Sequence, residues 1–311
     1  GFNMSLNAKL IKNLREKSGA GIVDCKNALL ENDNDVDKAV DWLRKKGLSV
    51  AAKKSGRVAA EGLVGVHISN NQACIIEINS ETDFVSRNEQ FQKFVSECSK
   101  IALKSNGDLD SLLKSKFFES VNTVEDELTK NVATIGENLN IRRIEKISLD
   151  GPGIIVSYVH NSVAENLGKI AVILSIKSNA DQKNLEDIGK KIAMHIAASN
   201  PISLDLDSLD PQIVDKEKQV LIEQAISSGK PKDIAEKMVE GRIKKFCEEV
   251  VLLEQTFVVD GKIKIKDLLK QYSSELGTTV SIDSFKMLIL GQGIEVEEKD
   301  FAAEVAATAN N

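Results

Sequence analysis

Apolar residues recur at helical spacing in three short blocks at the start of the chain. Leu10, Ile11 and Leu14 share one face of a helix predicted over residues 7–17. Ser18-Gly19-Ala20-Gly21 breaks it, and residues 22–31 form a second helix. Asn34, with Asp37 three positions on, resembles a capping signal for a third helix over residues 36–46, which Gly47 is expected to stop. The pattern then changes. Residues 62–68 and 73–78 are apolar or alternating runs around Ser69-Asn70-Asn71, a hairpin signature. Phe91, Phe94, Val95, Cys98, Ile101 and Ala102 next place an apolar stripe on a helix over residues 88–103, and the mixed stretch to Asn138 holds further helix.

The same order then recurs. Residues 154–160 and 169–177 read as strands around a polar loop, followed by a helix over residues 181–199 with Leu185, Ile188, Ile192, Ile196 and Ser199 on one stripe. Gly65-Val66-His67 and Tyr158-Val159-His160 close the first strand of each copy. The expected fold class is therefore α+β, with a degenerate hairpin-plus-helix repeat behind a three-helix module. Two polar-rich helical segments follow over residues 211–253, joined at Ser227-Ser228-Gly229-Lys230-Pro231. Ala235, Val239, Ile243, Phe246, Val250 and Leu253 form the narrow seam of an antiparallel helical hairpin or coiled coil. A last strand over 285–290 precedes an acidic tail with a helix expected over 300–308. The four prolines, Pro152, Pro201, Pro211 and Pro231, all stand where an element should end.

Composition narrows the chemistry. The net charge of −6 hides a distribution of +4 over residues 1–55 and −4 over residues 291–311. An acidic chain with 4% aromatic residues is a poor candidate for nucleic acid, whose affinity comes from Lys and Arg and from stacking faces. Four dispersed cysteines make no C-x-x-C pair, so thiols that stay reduced are expected, and no metal site is. The longest apolar run, residues 170–176, is far short of a membrane span, and a cytoplasmic location is the expectation.

Enzyme signatures fail one by one. The Gly-Lys pairs at 168, 189, 229 and 261 have Val163, Asn184, Gln224 and Thr256 where a phosphate loop needs its first glycine. The glycine pairs at 19/21, 151/153 and 291/293 lack the third glycine of a dinucleotide fingerprint. His67, His160 and His195 lie in separate elements and suggest no triad; His67 and His195 read best as locally satisfied. No covalent chemistry and no cofactor are expected.

One motif stands apart. In Glu77-Ile78-Asn79-Ser80-Glu81-Thr82-Asp83-Phe84-Val85-Ser86-Arg87-Asn88, an aromatic ring sits in a polar connection, where exposure costs hydration free energy unless something covers it. Either Phe84 tucks back as a hydrophobic staple while Asp83 or Ser86 caps the helix, or it projects as a wedge with a carboxylate beside it, made to enter a partner.

Here the chain resembles the elongation factor Ts family, guanine-nucleotide exchange factors for the GTPase elongation factor Tu. The resemblance rests on Thr82-Asp83-Phe84-Val85 within its longer motif, on residues 14–26, on Ile135-Gly136-Glu137-Asn138-Leu139-Asn140-Ile141-Arg142-Arg143, on Met194-His195-Ile196-Ala197-Ala198-Ser199, on residues 228–241 and on Asp300-Phe301-Ala302-Ala303-Glu304-Val305. It implies a ubiquitin-associated-like three-helix module (1–55), a core of two subdomains (56–145; 146–210 with 254–292), a protruding helical hairpin (211–253) and a C-terminal module (293–311). It also implies that Thr82, Asp83, Phe84 and Val85 enter elongation factor Tu and dislodge its Mg²⁺, that Arg15, Ile22 and Val23 pack on a helix of the GTPase, and that His160 approaches its phosphate-binding region. No nucleotide, nucleic acid or membrane contact of the chain's own is implied, and a homodimer or a heterotetramer with the partner both stay open. Where the family often has Thr and a Met-Met pair, this chain has Ser18 and Ile22-Val23, and the polar loop after His160 is longer than the family's Gly-rich turn. The competing function is a protein-binding scaffold that uses the N-terminal helices.

Overall fold

A computed structural model describes residues 8–118 and 120–297. The helix expected over 300–308 lies outside them. The described residues open with α1 (Ala8–Ser18), α2 (Ile22–Glu31) and α3 (Val36–Lys54). Leu14, Cys25, Ala28, Leu29 and Ala39 are sealed into one small core, with Trp42 and Leu43 packed on it. Two expectations need correction. Asp35, not Asn34, caps α3, its carboxylate accepting from the N–H groups of Asp37 and Lys38, while Asn34 takes a left-handed turn at φ 62°. Gly47 does not stop α3 either.

The helix runs seven residues past Gly47 because that half of α3 is covered by a later helix, Val124–Ile135, whose Thr129 and Ala133 lie over Gly47. The propensity cost of one glycine, about 1 kcal/mol, is outweighed by this tertiary burial. A methyl group at position 47 would meet Thr129 Cγ2 and Ala133 Cβ at 3.8 Å, ordinary contact distance. Gly47→Ala is therefore expected to stabilise the protein by about 0.5–1 kcal/mol, read as a raised Tm.

The core begins with β1 (Glu61–Ser69) and β2 (Gln72–Ser80), an antiparallel hairpin closed by Asn70-Asn71. Then come α4 (Glu89–Lys104), α5 (Leu109–Lys114), α6 (Val124–Ile135) and β3 (Asn140–Ser148). The second half holds β4 (Gly153–His160), β5 (Leu167–Gly168), β6 (Ile170–Lys177) and α7 (Gln182–Ser199). The helical hairpin is α8 (Pro211–Ser227) and α9 (Lys232–Val250), and α10 (Ile265–Leu276) and β7 (Ser281–Ile289) complete the described residues. The strands make two sheets, ordered β3-β2-β1-β5 and β4-β6-β7. β3, β5 and α10 were not expected from the sequence.

The internal repeat is real, but its register differs from the histidine match. Gly62 faces Asn79, and Gly153 faces Lys177. Each of these glycines has positive φ and lies so close to a carbonyl of the next strand, that of Ile78 or Ile176, that no Cβ fits. The two hairpins close at Ser69–Gln72 and His160–Ile170, and both central strands shift register at one point, Glu77/Ile78 and Ser175/Ile176. This alignment sets Gly62 on Gly153, His67 on Tyr158 and Ser69 on His160. Glycines and bulges set the register, and the histidines are not equivalent.

The two sheets share one core. The core between them contains the equivalent pairs Val64 and Ile155, Ala73 and Ala171, Ile75 and Ile173, and Ile147 and Leu288. Glu145 of β3 and Lys286 of β7, equivalent positions, pair with each other at 3.5 Å. On the outer faces, α4 covers the first sheet and α7 the second. Strands such as β1 are thus buried on both faces, which explains their nearly unbroken apolar runs.

The hairpin of α8 and α9 is thinly packed. Ala235 and Val239 are buried, no residue of α8 is, and Ile213, Val220, Ile234 and Met238 are exposed. Cys25, Cys74 and Cys98 are buried and all four thiols are free. Burial pushes the Cys74 thiol up to about 12, which leaves it inert. Among the described residues no helix is long and apolar enough to cross a membrane.

Candidate functional site

The connection after β2 is built as a rigid projection. Glu137, at the end of the α6–β3 link, accepts from the backbone N–H groups of Glu81 and Thr82 at 3.0 Å each and from Thr82 Oγ1 at 2.5 Å. Glu81 returns the contact by accepting from the Asn138 N–H at 2.7 Å. Charge-assisted bonds of this kind are the stronger ones, and four of them clamp the loop's entry. A single 3-10 turn, Asp83–Arg87, follows. Its exit is anchored by Val85, buried in the α4 core, and by Ser86, whose hydroxyl donates to the Asp83 carbonyl at 2.6 Å.

Phe84 is held between these anchors and stays 87% exposed. It is therefore no staple. The cap of α4 is Asn88, whose side chain accepts from the Phe91 N–H at 2.9 Å, and neither Asp83 nor Ser86 has that role. Val85 also departs from expectation: only 5% exposed, it anchors the turn and presents no surface to a partner. The apolar pair Phe84-Val85 divides its labour, one ring out and one side chain in.

Asp83 is exposed beside Phe84. Its carboxylate pairs with Lys169 and accepts from Ser86 Oγ at 3.3 Å. The hydrogen bond from Lys169 is the main reason its carboxyl is held below the usual range. The Lys169 backbone N–H donates to the His160 carbonyl at 3.1 Å, so the end of β4 meets the Asp83 turn at one corner. His160 is exposed there, with Nδ1 3.1 Å from the Tyr158 hydroxyl. Behind the corner, fully buried Glu77 accepts from Arg142, Arg143, Asn79 and the Gly291 N–H, tying β2 to β3 and to the segment after β7. Removing either side of so fully paired a buried carboxylate would leave an uncompensated buried charge, which is strongly destabilising.

Arg15, Ile22 and Val23 lie elsewhere, exposed on α1 and the first turn of α2. No hydrogen bond or ion pair among the described residues joins them to the Asp83 corner. Leu30, exposed seven positions after Val23 on the same helix, extends their apolar strip. No local pattern in the sequence singles out Leu30 or Lys169.

His195 is satisfied within the fold. It is fully buried on α7, its Nδ1 accepting from the Val258 N–H at 3.2 Å. Its Nε2 faces Gln255 Oε1 at 2.9 Å, so Nε2 carries the proton of a neutral ring. Gln255 is oriented in turn by donating to the carbonyls of Glu249 and Ser199. Burial lowers the pKa below its ordinary 6.5. The folded state thus resists protonation more than the unfolded one. The ring's contribution is complete above the unfolded value and is lost as pH falls through it toward the folded value. Thermal melts between pH 7.5 and 5.5 are expected to show Tm dropping on the acid side, with a shallower drop in His195→Asn.

Comparison with known proteins decides the family. The family model described as Elongation factor TS matches residues 81–292, a span that opens at the clamped loop. A curated relative from Rhodospirillum centenum, Elongation factor Ts, is 51% identical over 304 residues, covering 98% of this chain and 99% of the relative. The chain belongs to the elongation factor Ts family. Two further members, from Parvibaculum lavamentivorans at 49% and Bartonella henselae at 48% identity, each align over 98% of the chain. Membership makes this a translation elongation factor of protein biosynthesis, with the α+β architecture described above.

Proposed function

We propose that the chain is a guanine-nucleotide exchange factor that binds elongation factor Tu carrying GDP and promotes GDP release. The observation that carries this is the ring of Phe84, solvent-exposed on a turn clamped at both ends, with the Asp83 carboxylate beside it. Family membership supplies the partner.

A GTPase holds its nucleotide largely through phosphates and Mg²⁺. A factor that favours the empty GTPase must, by linkage, be weakened by nucleotide to the same extent that it weakens the nucleotide. Thr82, pinned to Glu137, sets the height of the turn. Phe84 enters an apolar gap in the partner, and Asp83 brings a negative charge toward the partner's Mg²⁺, the largest local cation on the phosphates. Burying the ring contributes about 1.5–3 kcal/mol toward the distortion. Arg15, Ile22 and Val23 on the helical module, together with Leu30, add a second contact, and His160 contacts the partner beside the wedge. In this division the two-subdomain core carries the wedge, while the module extends the footprint. The chain itself needs no cofactor and makes or breaks no covalent bond.

Calorimetric titration into nucleotide-free and GDP-loaded elongation factor Tu tests the linkage. Affinity for the empty form is expected to be higher by about tenfold or more. Equal affinity for both forms would make the chain a scaffold.

A further inference from the structure

Between β5 and β6 the chain crosses from the first sheet to the second within one residue. β5 ends at Gly168 in the first sheet, β6 starts at Ile170 in the second, and Lys169 lies between. Its backbone is fixed by the second copy of the repeat: the N–H donates to the His160 carbonyl at 3.1 Å, and the carbonyl accepts from the Leu290 N–H at 2.9 Å. Gly168 just before it is pressed so closely on the carbonyl of His160 that a Cβ would come within 2.8 Å, so the joint has little freedom. The side chain reaches into the first copy, where Nζ pairs with Asp83 and stands 3.8 Å from Glu61 Oε2.

We propose that Lys169 is a positioning residue for nucleotide exchange, holding Asp83 so that Phe84 projects in one orientation. This rests on the exchange-factor function proposed above. The turn's ends are held by Glu137 and by Val85 with Ser86, all from the first copy. The exposed carboxylate of Asp83 has only Lys169 and the Ser86 hydroxyl as partners among the described residues. Among the hydrogen bonds and ion pairs of the described residues, that of Lys169 is the one that ties the turn to the second sheet and to His160. Asp83 is 60% and Lys169 25% exposed, and a partly solvated pair of this kind adds little to folding, so its effect lies in orientation. A displacement of about 1 Å at a reacting centre can cost on the order of a hundredfold in rate.

The test is the rate of labelled-GDP release from elongation factor Tu, titrated to separate maximal rate from half-saturating concentration, together with Tm. Lys169→Met is expected to lower the maximal rate by about five- to tenfold with Tm nearly unchanged, and Lys169→Arg to restore most of it. The Asp83→Asn/Lys169→Met double variant is expected to be no slower than the slower single, because the two residues act as one unit. Glu61→Gln, which spares the Asp83 pair, should release GDP at close to the wild-type rate. Wild-type release by Lys169→Met, multiplying losses in the double variant, or an equal loss in Glu61→Gln would each overturn the proposal. Phe84→Ala run in parallel separates the two levels. A silent Phe84→Ala defeats the exchange mechanism itself, whereas a slow Phe84→Ala with a normal Lys169→Met defeats only the role of Lys169.

Discussion

Replacing Phe84 by alanine is expected to cut the acceleration of GDP release from elongation factor Tu by about tenfold or more, while Tm stays where it is. Both halves follow from one number. At 87% exposure the ring contributes almost nothing to the folded core, so removing it leaves the fold intact. On entering a partner it gains the full transfer free energy of a phenyl side chain, roughly 1.5–3 kcal/mol, and each 1.4 kcal/mol is about tenfold in rate or affinity. Val85 is the internal control. Val85→Ala removes buried volume from the α4 core and should lower Tm, because that side chain is an anchor. Normal release by Phe84→Ala with a lowered Tm would return Phe84 to a structural role.

The second large effect is on stability and comes from the repeat. Where α4 crosses the first sheet, Gly65 of β1 lies under Val95, and a Cβ on Gly65 would come within 2.9 Å of Val95 Cγ1. Where α7 crosses the second sheet, the partners are exchanged: Val156 of β4 lies under Gly189, and a Cβ on Gly189 would come within 2.8 Å of Val156 Cγ2. The repeat register aligns Gly65 with Val156, and the helix stripes align Val95 with Gly189. Each crossing therefore admits one valine and one glycine, on either side. Gly65→Val alone should overpack the contact and cost about 3 kcal/mol. Adding Val95→Gly should recover part of that despite its own helix penalty of about 1 kcal/mol, giving a coupling of more than about 1 kcal/mol in a double-mutant cycle. Strict additivity in chemical denaturation would show that the two crossings are not equivalent.

Much of the fold was legible in the sequence, and the failures have physical causes. The second helix, Ile22–Glu31, falls where periodicity and the Ser18–Gly21 break place it. The third outran its glycine because a tertiary contact with α6, invisible to local pattern, outweighed propensity. Capping assignments slipped by a few residues at Asp35 and Asn88, since neighbouring Asn, Asp and Ser side chains offer the same chemistry and only backbone geometry selects among them. β3 hid behind its charges. Its arginines are spent on buried Glu77, and Lys146 donates to the carbonyls of Leu103 and Ser105 at the end of α4. α10 carried a readable stripe in Ile265, Leu268, Leu269 and Tyr272. At the site, the Asp83-Phe84 pair could be picked out but not its exposure, because staple and wedge share one sequence. Lys169 left no local signal. Its role arises only where two sheets, distant in sequence, meet.

The most direct test of the central claim is stopped-flow release of a fluorescent GDP from elongation factor Tu, mixed with excess unlabelled GDP with and without this chain. A release rate that rises with the concentration of the chain and then saturates is the predicted result. An unchanged release rate at concentrations where the two proteins demonstrably bind would contradict it.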